Sequence, residues 1–414
     1  MSDDYLPRVI DQRLSRLLKS VGAVVIEGPR ASGKTTTGMQ FAQSTVFFDD
    51  PDTALLAEID LRQLLNGERP RLLDEWQLYP QIWNMVRREV DFGRTPGQFI
   101  LAGSATPTDD VRRHTGAGRF ARIRQYTMTW AEKAGLQPQV SFRNLLSEPE
   151  VAADLARPTL DDVVDLLLTP GFPGLISMPR EATNALLDEY INNIIEVDVH
   201  RLAEIRREPI VLKTLLISLA RNISTEVSVP TLRKDISATL SSPAPETISH
   251  FLQLFERLFV VERQPAMATA LRSKARLRQS AKYHLADPSL AARLLGAESA
   301  DLLADTRTLG FLFESAVTHD LRVYAQEVNG QVSHYRDSNG HEIDVVIELP
   351  GDSWAAIEVK LGAGQIQTGY ESLQKAIKQI DRPAPAFSAV ITGTGPIANL
   401  GSGCVTFPLS ALGL

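Results

Sequence analysis

Gly28-Pro29-Arg30-Ala31-Ser32-Gly33-Lys34-Thr35 fits the phosphate-loop pattern of a glycine, any four residues and then Gly-Lys-Thr. The apolar, β-branched run Val21–Glu27 precedes it and predicts a buried parallel strand, and residues 36–42 predict the first turns of a helix. In that context, backbone N–H groups and the helix N-terminus can bind a polyphosphate. The stretch therefore predicts a site for a nucleoside triphosphate.

Two side chains of this loop have expected roles. Lys34 would reach the β- and γ-phosphates, and the Thr35 hydroxyl would ligate Mg²⁺. The alternative is a chance glycine turn with a surface lysine, and the strand before the loop argues against it. We therefore expect ATP and Mg²⁺ as ligands. The expected nucleotide-binding residues are Gly28, Pro29, Arg30, Ala31, Ser32, Gly33, Lys34, Thr35 and Thr36.

Length and composition narrow the class of protein. A chain of 414 residues predicts two or three domains, and its net charge of −7 gives no overall attraction to nucleic acid or anionic lipid. A single cysteine, Cys404, excludes an internal disulfide framework and a cysteine-based zinc site, and suits a reducing cytoplasm. We expect no secretory signal after the acidic start, and no membrane span, because no run of about 18 apolar residues occurs.

An acidic pair follows the loop by about forty residues, in the stretch Arg71–Trp76. A short apolar strand is expected to end at Asp74 and Glu75. Nucleotide hydrolysis needs one acid that holds Mg²⁺, which suits Asp74, and a base that orients the attacking water, which suits Glu75. Such a pair is weak evidence alone and becomes strong evidence after a phosphate loop.

Two further polar positions are candidates for contact with the γ-phosphate. The stretch 98–106 predicts a buried strand that ends in small polar residues. Ser104 or Thr106 is therefore expected to sense that phosphate, with a plain strand-to-loop turn as the alternative. In the arginine-rich stretch 110–124, Arg119 is the candidate that would reach a neighbouring subunit's nucleotide. A solvated basic loop is the alternative. An Arg119 that reaches a neighbouring subunit's nucleotide implies a homo-oligomer.

Strands alternate with helices across this region, which predicts an α/β fold with a parallel sheet and helices on both faces. Together these motifs resemble the AAA-type ATPases that carry a C-terminal domain of unknown function numbered 4143. The resemblance implies an AAA-like P-loop ATPase core. Where that family usually has Pro-Leu-Ser/Thr-Phe before a glutamate, this chain has Thr127-Met128-Thr129-Trp130. The residues that carry the resemblance are Gly28–Thr35, Leu72–Trp76, Leu101–Ser104, Gly118–Arg119, Met128–Glu132, Gly171–Pro173, Ala286–Pro288, Phe313–Val317, Gly340–Asp344 and Ile357–Lys360.

The middle of the chain predicts helices. After a polar, proline-bearing stretch (135–159), helical patterns lead to a helix-turn-helix over 229–261 that resembles a winged helix. Its second helix offers few residues that read a major groove, so sequence-specific recognition is not expected. A basic stretch then follows, which would contact DNA or RNA phosphates or form a solvated loop. Its cations are Arg272, Lys274, Arg276, Arg278 and Lys282.

The last region predicts two strands with acidic residues, residues 341–347 and 354–360, after an amphipathic helix that contains Glu314. Paired strands would bring Asp344 and Glu358 together to bind one divalent ion, Mg²⁺ or Mn²⁺, with Lys360 next to an attacking water. This arrangement is similar to the core of the PD-(D/E)xK nucleases. Gln365, Gln367 and Tyr370 do not keep the glutamine and tyrosine spacing of the RecB-type members.

These patterns predict four regions: a P-loop ATPase core (1–135), a linker and helical domain (136–225), a winged-helix-like domain (226–300) and a nuclease-like α/β domain (301–414). The leading hypothesis is a magnesium-dependent ATPase whose nucleotide state controls the C-terminal module, acting on nucleic acid. One alternative is a metal-dependent DNA or RNA nuclease regulated by ATP. Another is a nucleotide-gated scaffold with an inactive nuclease fold.

Overall fold

Five parallel strands form the first sheet, in the order β2-β3-β4-β1-β5. The computed structural model describes residues 5–104, 118–155, 158–199, 209–238, 240, 243–267 and 280–414. The strands are β1 (Ala23–Glu27), β2 (Ser44–Phe47), β3 (Arg71–Asp74), β4 (Phe99–Gly103) and β5 (Phe120–Arg124). The helices around them are α1 (Ile10–Leu18), α2 (Lys34–Phe41), α3 (Pro51–Asp60) and α4 (Ile82–Gly93). The predicted parallel α/β sheet is confirmed.

Side-chain alternation along β1 explains why both faces of this sheet are covered. Val25 packs with Trp76 and Trp83 on one face, whereas Ile26 packs with Leu14 of α1 on the other. A strand that is buried on both faces must be apolar throughout, which is what the run before the phosphate loop shows. The two cores fix the sheet and therefore the edge at which its strands end.

The middle of the chain is mainly helical. The elements are α5 (Trp130–Ala134), β6 (Val140–Ser141), α6 (Phe142–Leu145), α7 (Leu160–Leu168), α8 (Arg180–Asn193), α9 (Pro209–Arg221), α10 (Val229–Ser237), α11 (Pro245–Arg257), β7 (Val261–Gln264), β8 (Lys282–Leu285), α12 (Pro288–Leu295) and α13 (Ser299–Ala304). Strands β7 and β8 form an antiparallel pair after α10 and α11. Two helices followed by a two-stranded pair suit the winged-helix interpretation, which stays a prediction.

A long helix, α14 (Thr306–Glu327), introduces the second sheet, whose order is β13-β14-β12-β11-β10-β9. The remaining elements are β9 (Gln331–Arg336), β10 (Glu342–Glu348), β11 (Trp354–Gly362), α15 (Ile366–Ile377), β12 (Phe387–Thr394), β13 (Ala398–Gly401), β14 (Cys404–Pro408) and β15 (Leu412–Gly413). Strands β9, β10 and β11 are antiparallel, while β11, β12 and β14 run parallel. The sheet is therefore mixed, and it contains both strands expected to carry acids.

One hydrophobic core extends from Trp130 to Leu412 and joins the middle of the chain to the C-terminal sheet. Strand β15 at the end of the chain pairs with β6 near residue 140. Helix α14 contributes the fully buried Phe313 and Tyr324 to this core. In the part of the chain that the structure describes, no helix combines the length and the apolar character that crossing a membrane requires.

Candidate functional site: the carboxyl edge of the first sheet

The register of the first sheet brings three strand ends to one edge. Glu27 at the end of β1 pairs with Gly103 of β4, and Asp74 of β3 pairs with Ala102. Because parallel strands share a direction, the phosphate loop, the acidic pair and Ser104 all lie at this carboxyl edge. This is the edge where α/β sheets bind their ligands.

Two glycines, Gly28 and Gly33, allow the backbone conformation of the phosphate loop. Gly33 has φ = +89°, in the left-handed region, and helix α2 starts at the next residue. A side chain at Gly28 would overlap the backbone carbonyl oxygen of Gln125. The loop is thus held against the segment after β5, and the start of α2 points at the space above the strand ends.

Lys34 is buried and bonded to its own loop. Its Nζ donates to the Pro29 carbonyl oxygen at 2.7 Å, and only 6% of the residue is exposed. Burial lowers the pKa of the Lys34 ammonium to about 8, and the carboxylates of Glu75 and Asp74 oppose that shift. A phosphate group would stabilise the charged form of this side chain.

The Thr35 hydroxyl meets the acid that ends β3. Thr35 Oγ1 lies 3.0 Å from both carboxylate oxygens of Asp74, and Asp74 is 6% exposed. Burial raises the pKa of Asp74 to about 6; the Thr35 hydrogen bond lowers it, and the neighbouring Glu75 raises it. A hydroxyl and a carboxylate side by side are oxygen ligands of the kind that Mg²⁺ prefers.

The loop also presents a polar group without a partner. Ser32 Oγ is buried and has no hydrogen-bond partner among the described residues. Such a group costs free energy unless a ligand or water satisfies it. Ser32, Lys34, Thr35 and Asp74 together form a set of polar groups that fits a magnesium-bound triphosphate.

Glu75 is positioned by an unusual backbone conformation. It has φ = +52° and ψ = +34°, a left-handed conformation that is uncommon for a residue with a side chain. The Gln77 side-chain amide donates to Glu75 Oε2, and Gln77 lies against Gly103 of β4. Glu75 is therefore held next to the strand end where a water-activating carboxylate is expected.

The two predicted γ-phosphate contacts lie at opposite edges of the sheet. Ser104 follows β4 at the carboxyl edge, while Thr106 is outside the described residues. Arg119 precedes β5 at the amino edge, roughly 16 Å from the phosphate loop at about 3.3 Å per residue, and its Nε donates to Asp91 at 2.6 Å. Arg119 cannot serve the site of its own chain, and its role across subunits stays a prediction.

The sequence patterns did not predict the buried ion pair of Arg8 and Glu132, which holds the phosphate loop in place. Arg8 donates to the Ser32 carbonyl oxygen at 2.9 Å, to the Tyr126 carbonyl oxygen at 2.9 Å and to Glu132 at 3.1 Å. Glu132 also accepts the Val9 N–H at 2.6 Å. The available signal was Thr129-x-x-Glu132, a capping box, which the structure forms at the start of α5.

The C-terminal acids form a second cluster. The register that pairs Val345 with Ile357 sets Asp344 beside Glu358, and the Val359 N–H donates to Asp344 at 2.8 Å. Lys360 Nζ lies 2.7 Å from Glu358. Glu314 of α14 and Asp344 line the same cavity of about 560 Å³. The structure thus places Asp344, Glu358 and Lys360 of the paired strands near Glu314 of α14, and their role as a nuclease-like site stays a prediction.

Burial dominates the electrostatics of this cluster, and carboxylate crowding adds to it. Burial raises the pKa of Glu314 to about 7 and that of Glu358 to about 8, and Asp344 adds to both shifts. Glu358 Oε2 is buried without a hydrogen-bond partner in the described chain. Within those residues, no group of three or more His, Cys, Asp or Glu is arranged to hold a metal ion. The expected ion between Asp344 and Glu358 stays a prediction.

The basic stretch has one described member, Lys282. Its Nζ lies 2.6 Å from Glu314 and 3.8 Å from Asp344, and the residue is 8% exposed. This placement differs from the expected contact with nucleic-acid phosphates, because the ammonium is buried against two carboxylates. The other members, Arg272, Lys274, Arg276 and Arg278, lie outside the described residues.

Arg8→Ala should lower the free energy of unfolding by about 3 kcal/mol or more, because it removes one half of a buried ion pair and two contacts to backbone carbonyls. Arg180→Ala is the matched control, since Arg180 pairs with Asp165 at an exposed site and should cost less than about 1 kcal/mol. Urea unfolding of the full chain measures both. Equal losses for the two variants would contradict the anchoring role of Arg8.

Comparison with known proteins adds family matches for most of the chain. Residues 20–134 match an AAA domain, residues 160–301 match the domain of unknown function DUF8612, and residues 309–412 match the domain of unknown function DUF4143. Uncharacterized proteins of Mycobacterium tuberculosis and Mycobacterium bovis are each 27% identical over 348 residues, which cover 82% of this chain and 70% of each relative.

Two solved structures are also similar. A Walker-type ATPase of Pyrococcus abyssi has a TM-score of 0.43 at 12% identity, covering 71% of this chain and 97% of that one. The Aeropyrum pernix ORC1 protein in complex with DNA has a TM-score of 0.26 at 10% identity, covering 74% and 97%. The family matches confirm the resemblance drawn from the motifs. The chain therefore contains a match to an AAA domain at residues 20–134 and a match to DUF4143 at residues 309–412.

Proposed function

We propose that the protein binds and hydrolyses ATP at the carboxyl edge of its first sheet, with Mg²⁺ as cofactor. The observation that carries this proposal is the Thr35 hydroxyl set 3.0 Å from both oxygens of Asp74, beside the buried Lys34. Phosphoryl transfer requires mainly positioning and charge stabilisation, and these are the groups that supply both. A site for a simple anion without a metal, or a loop with only a structural role, would not require an acid at the end of β3.

Each residue of the edge has a proposed role. The loop amides and Lys34 bind the phosphates, and Thr35 and Asp74 would hold the metal, which offsets phosphate charge when bound. Glu75 orients the attacking water. Ser104 contacts the γ-phosphate from the end of β4, and Arg119 acts on the nucleotide of a neighbouring copy in a homo-oligomer.

The contacts of α14 support the further proposal that nucleotide state reaches the C-terminal module. The side chain of Gln326 on α14 bonds both backbone groups of Arg124 at 2.8 Å. His319 lies 2.9 Å from the Thr127 hydroxyl, and Asp320 accepts the Trp130 N–H at 2.9 Å. The segment that follows β5 is therefore bonded directly to the helix that carries Glu314.

Glu75→Gln should bind ATP with a dissociation constant within a few-fold of the wild type and hydrolyse it at least about 100-fold more slowly, because the amide cannot accept a proton from water. Lys34→Ala should lose ATP binding. Phosphate release and equilibrium titration measure the two effects, with the exposed Glu58→Gln as the unaffected control. Hydrolysis by Glu75→Gln at the wild-type rate would refute its role, and ATP binding without hydrolysis by the wild type would favour the scaffold.

A second candidate function is metal-dependent cleavage of DNA or RNA, which the convergence of Asp344, Glu358 and Lys360 favours. Two carboxylates on adjacent strands suit a divalent ion, and the nearby ammonium suits an attacking water. Burial is the main cause of the raised pKa of Glu358, the Asp344 carboxylate adds to it, and a bound cation would relieve that repulsion.

Asp344→Asn should abolish any cleavage of labelled DNA or RNA that the wild type shows with Mg²⁺ or Mn²⁺, because it removes a charged ligand. Glu342→Gln is the matched control, since Glu342 lies two residues earlier on β10 with an exposed side chain. Cleavage that survives Asp344→Asn would place the activity elsewhere. The absence of cleavage by the wild type would remove this candidate and leave the ATPase proposal untouched.

A further inference from the structure

A polar cavity, lined by none of the acids of the two clusters, lies where three parts of the fold meet. Its volume is about 630 Å³. Arg13 of α1 and Arg124 of β5 line it from the first sheet, Glu262 and Arg263 line it from β7, and Arg322 lines it from α14. A volume of this size lies in the range of small-molecule pockets.

Positive charge dominates the described lining. It holds four guanidinium groups, those of Arg13, Arg124, Arg263 and Arg322, and two carboxylates, those of Glu256 and Glu262. Arg263 is exposed, whereas Arg322 is buried and Arg13 and Arg124 are partly buried. Buried charge without full compensation is costly, so these three cations are the informative ones.

The Glu262 carboxylate pairs with two of these arginines, Arg322 and Arg124. Arg322 Nη1 donates to Glu262 Oε2 at 2.7 Å, and Arg124 Nη2 lies 2.9 Å from Glu262 Oε1. Arg322 is 8% exposed and Glu262 is 5% exposed. Glu262 is the carboxylate within ion-pair distance of both guanidinium groups among the described residues, and Glu27 and Glu256 act on Arg124 from farther away. At contact distance the two cations therefore share one carboxylate.

Three guanidinium nitrogens around the cavity lack partners. Arg322 Nη2, Arg124 Nε and Arg13 Nε are buried, and no described residue accepts a hydrogen bond from them. The other nitrogens of Arg13 donate to the Gln326 carbonyl oxygen and to Asn329. Among the described residues, no carboxylate forms a hydrogen bond with Arg13, and Glu327 acts on its charge from farther away. Unsatisfied buried donors with net positive charge are what an oxyanion site requires.

We propose that this cavity binds the phosphate group of a small phosphorylated ligand, through Arg13, Arg124 and Arg322. The planar guanidinium presents paired donors that match phosphate oxygens. Arg124 ends β5 at the carboxyl edge, but none of the lining residues belongs to the phosphate loop or to the acidic pair Asp74 and Glu75, so the cavity is a different site. A ligand here contacts the first sheet, β7 and α14 together.

The probe is pyrophosphate. It is titrated into the full chain carrying Lys34→Ala, so that the phosphate loop does not contribute to the measured binding. Isothermal titration calorimetry should show pyrophosphate binding in this background. Adding Arg124→Gln or Arg13→Gln should weaken binding at least about tenfold, because each removes charged donors. Arg122→Gln is the matched control: Arg122 lies on the same strand, is partly exposed and does not line the cavity.

Arg13 is only partly buried, so Arg13→Gln remains informative if Arg124→Gln fails to fold. No binding of pyrophosphate by the Lys34→Ala chain would overturn the proposal, as would equal affinity in the Arg13 and Arg122 variants. Binding of a single-stranded oligonucleotide but not of pyrophosphate, with the same arginine dependence, would overturn the small-ligand assignment in favour of nucleic acid. None of these outcomes depends on whether the wild type hydrolyses ATP.

Discussion

The parallel register of the first sheet is the constraint on which the proposed chemistry depends. Pairing of Asp74 with Ala102 and of Glu27 with Gly103 brings the acid of one strand and the loop of another to the same edge. The Thr35 hydroxyl can then meet Asp74 although 39 residues separate them in sequence. A shift of β3 by one residue would turn Asp74 toward the opposite face of the sheet.

Buried polar contacts hold the carboxyl edge of the first sheet in place. Arg8 ties the loop carbonyl of Ser32 to Glu132 at the start of α5, and Glu132 in turn caps that helix. Helix α14 bonds the adjoining segment through Gln326. The nucleotide edge and the C-terminal sheet are thus parts of one connected structure, which gives a physical route by which one could influence the other.

The sequence predicted the features that depend on local order. The phosphate loop, the acid at the end of β3 and the alternation that places Asp344 beside Glu358 all follow from short motifs and strand periodicity. The contact between Arg8 and Glu132 did not, because it joins residues 124 positions apart and nothing local marks Arg8 as buried. Lys282 was misplaced for a related reason: a basic run predicts solvent exposure, whereas its neighbours in space are Glu314 and Asp344.

The most direct test of the account is a calorimetric titration of ATP with Mg²⁺ into the full chain at about pH 9, in two buffers of different ionisation enthalpy. Burial lowers the pKa of Lys34 to about 8, so the side chain is mainly neutral at that pH and must gain a proton to pair with phosphate. The account predicts binding with uptake of about one proton, and no uptake by a Lys34→Arg variant that still binds. No heat of binding, or binding by the wild type without proton uptake, would contradict it.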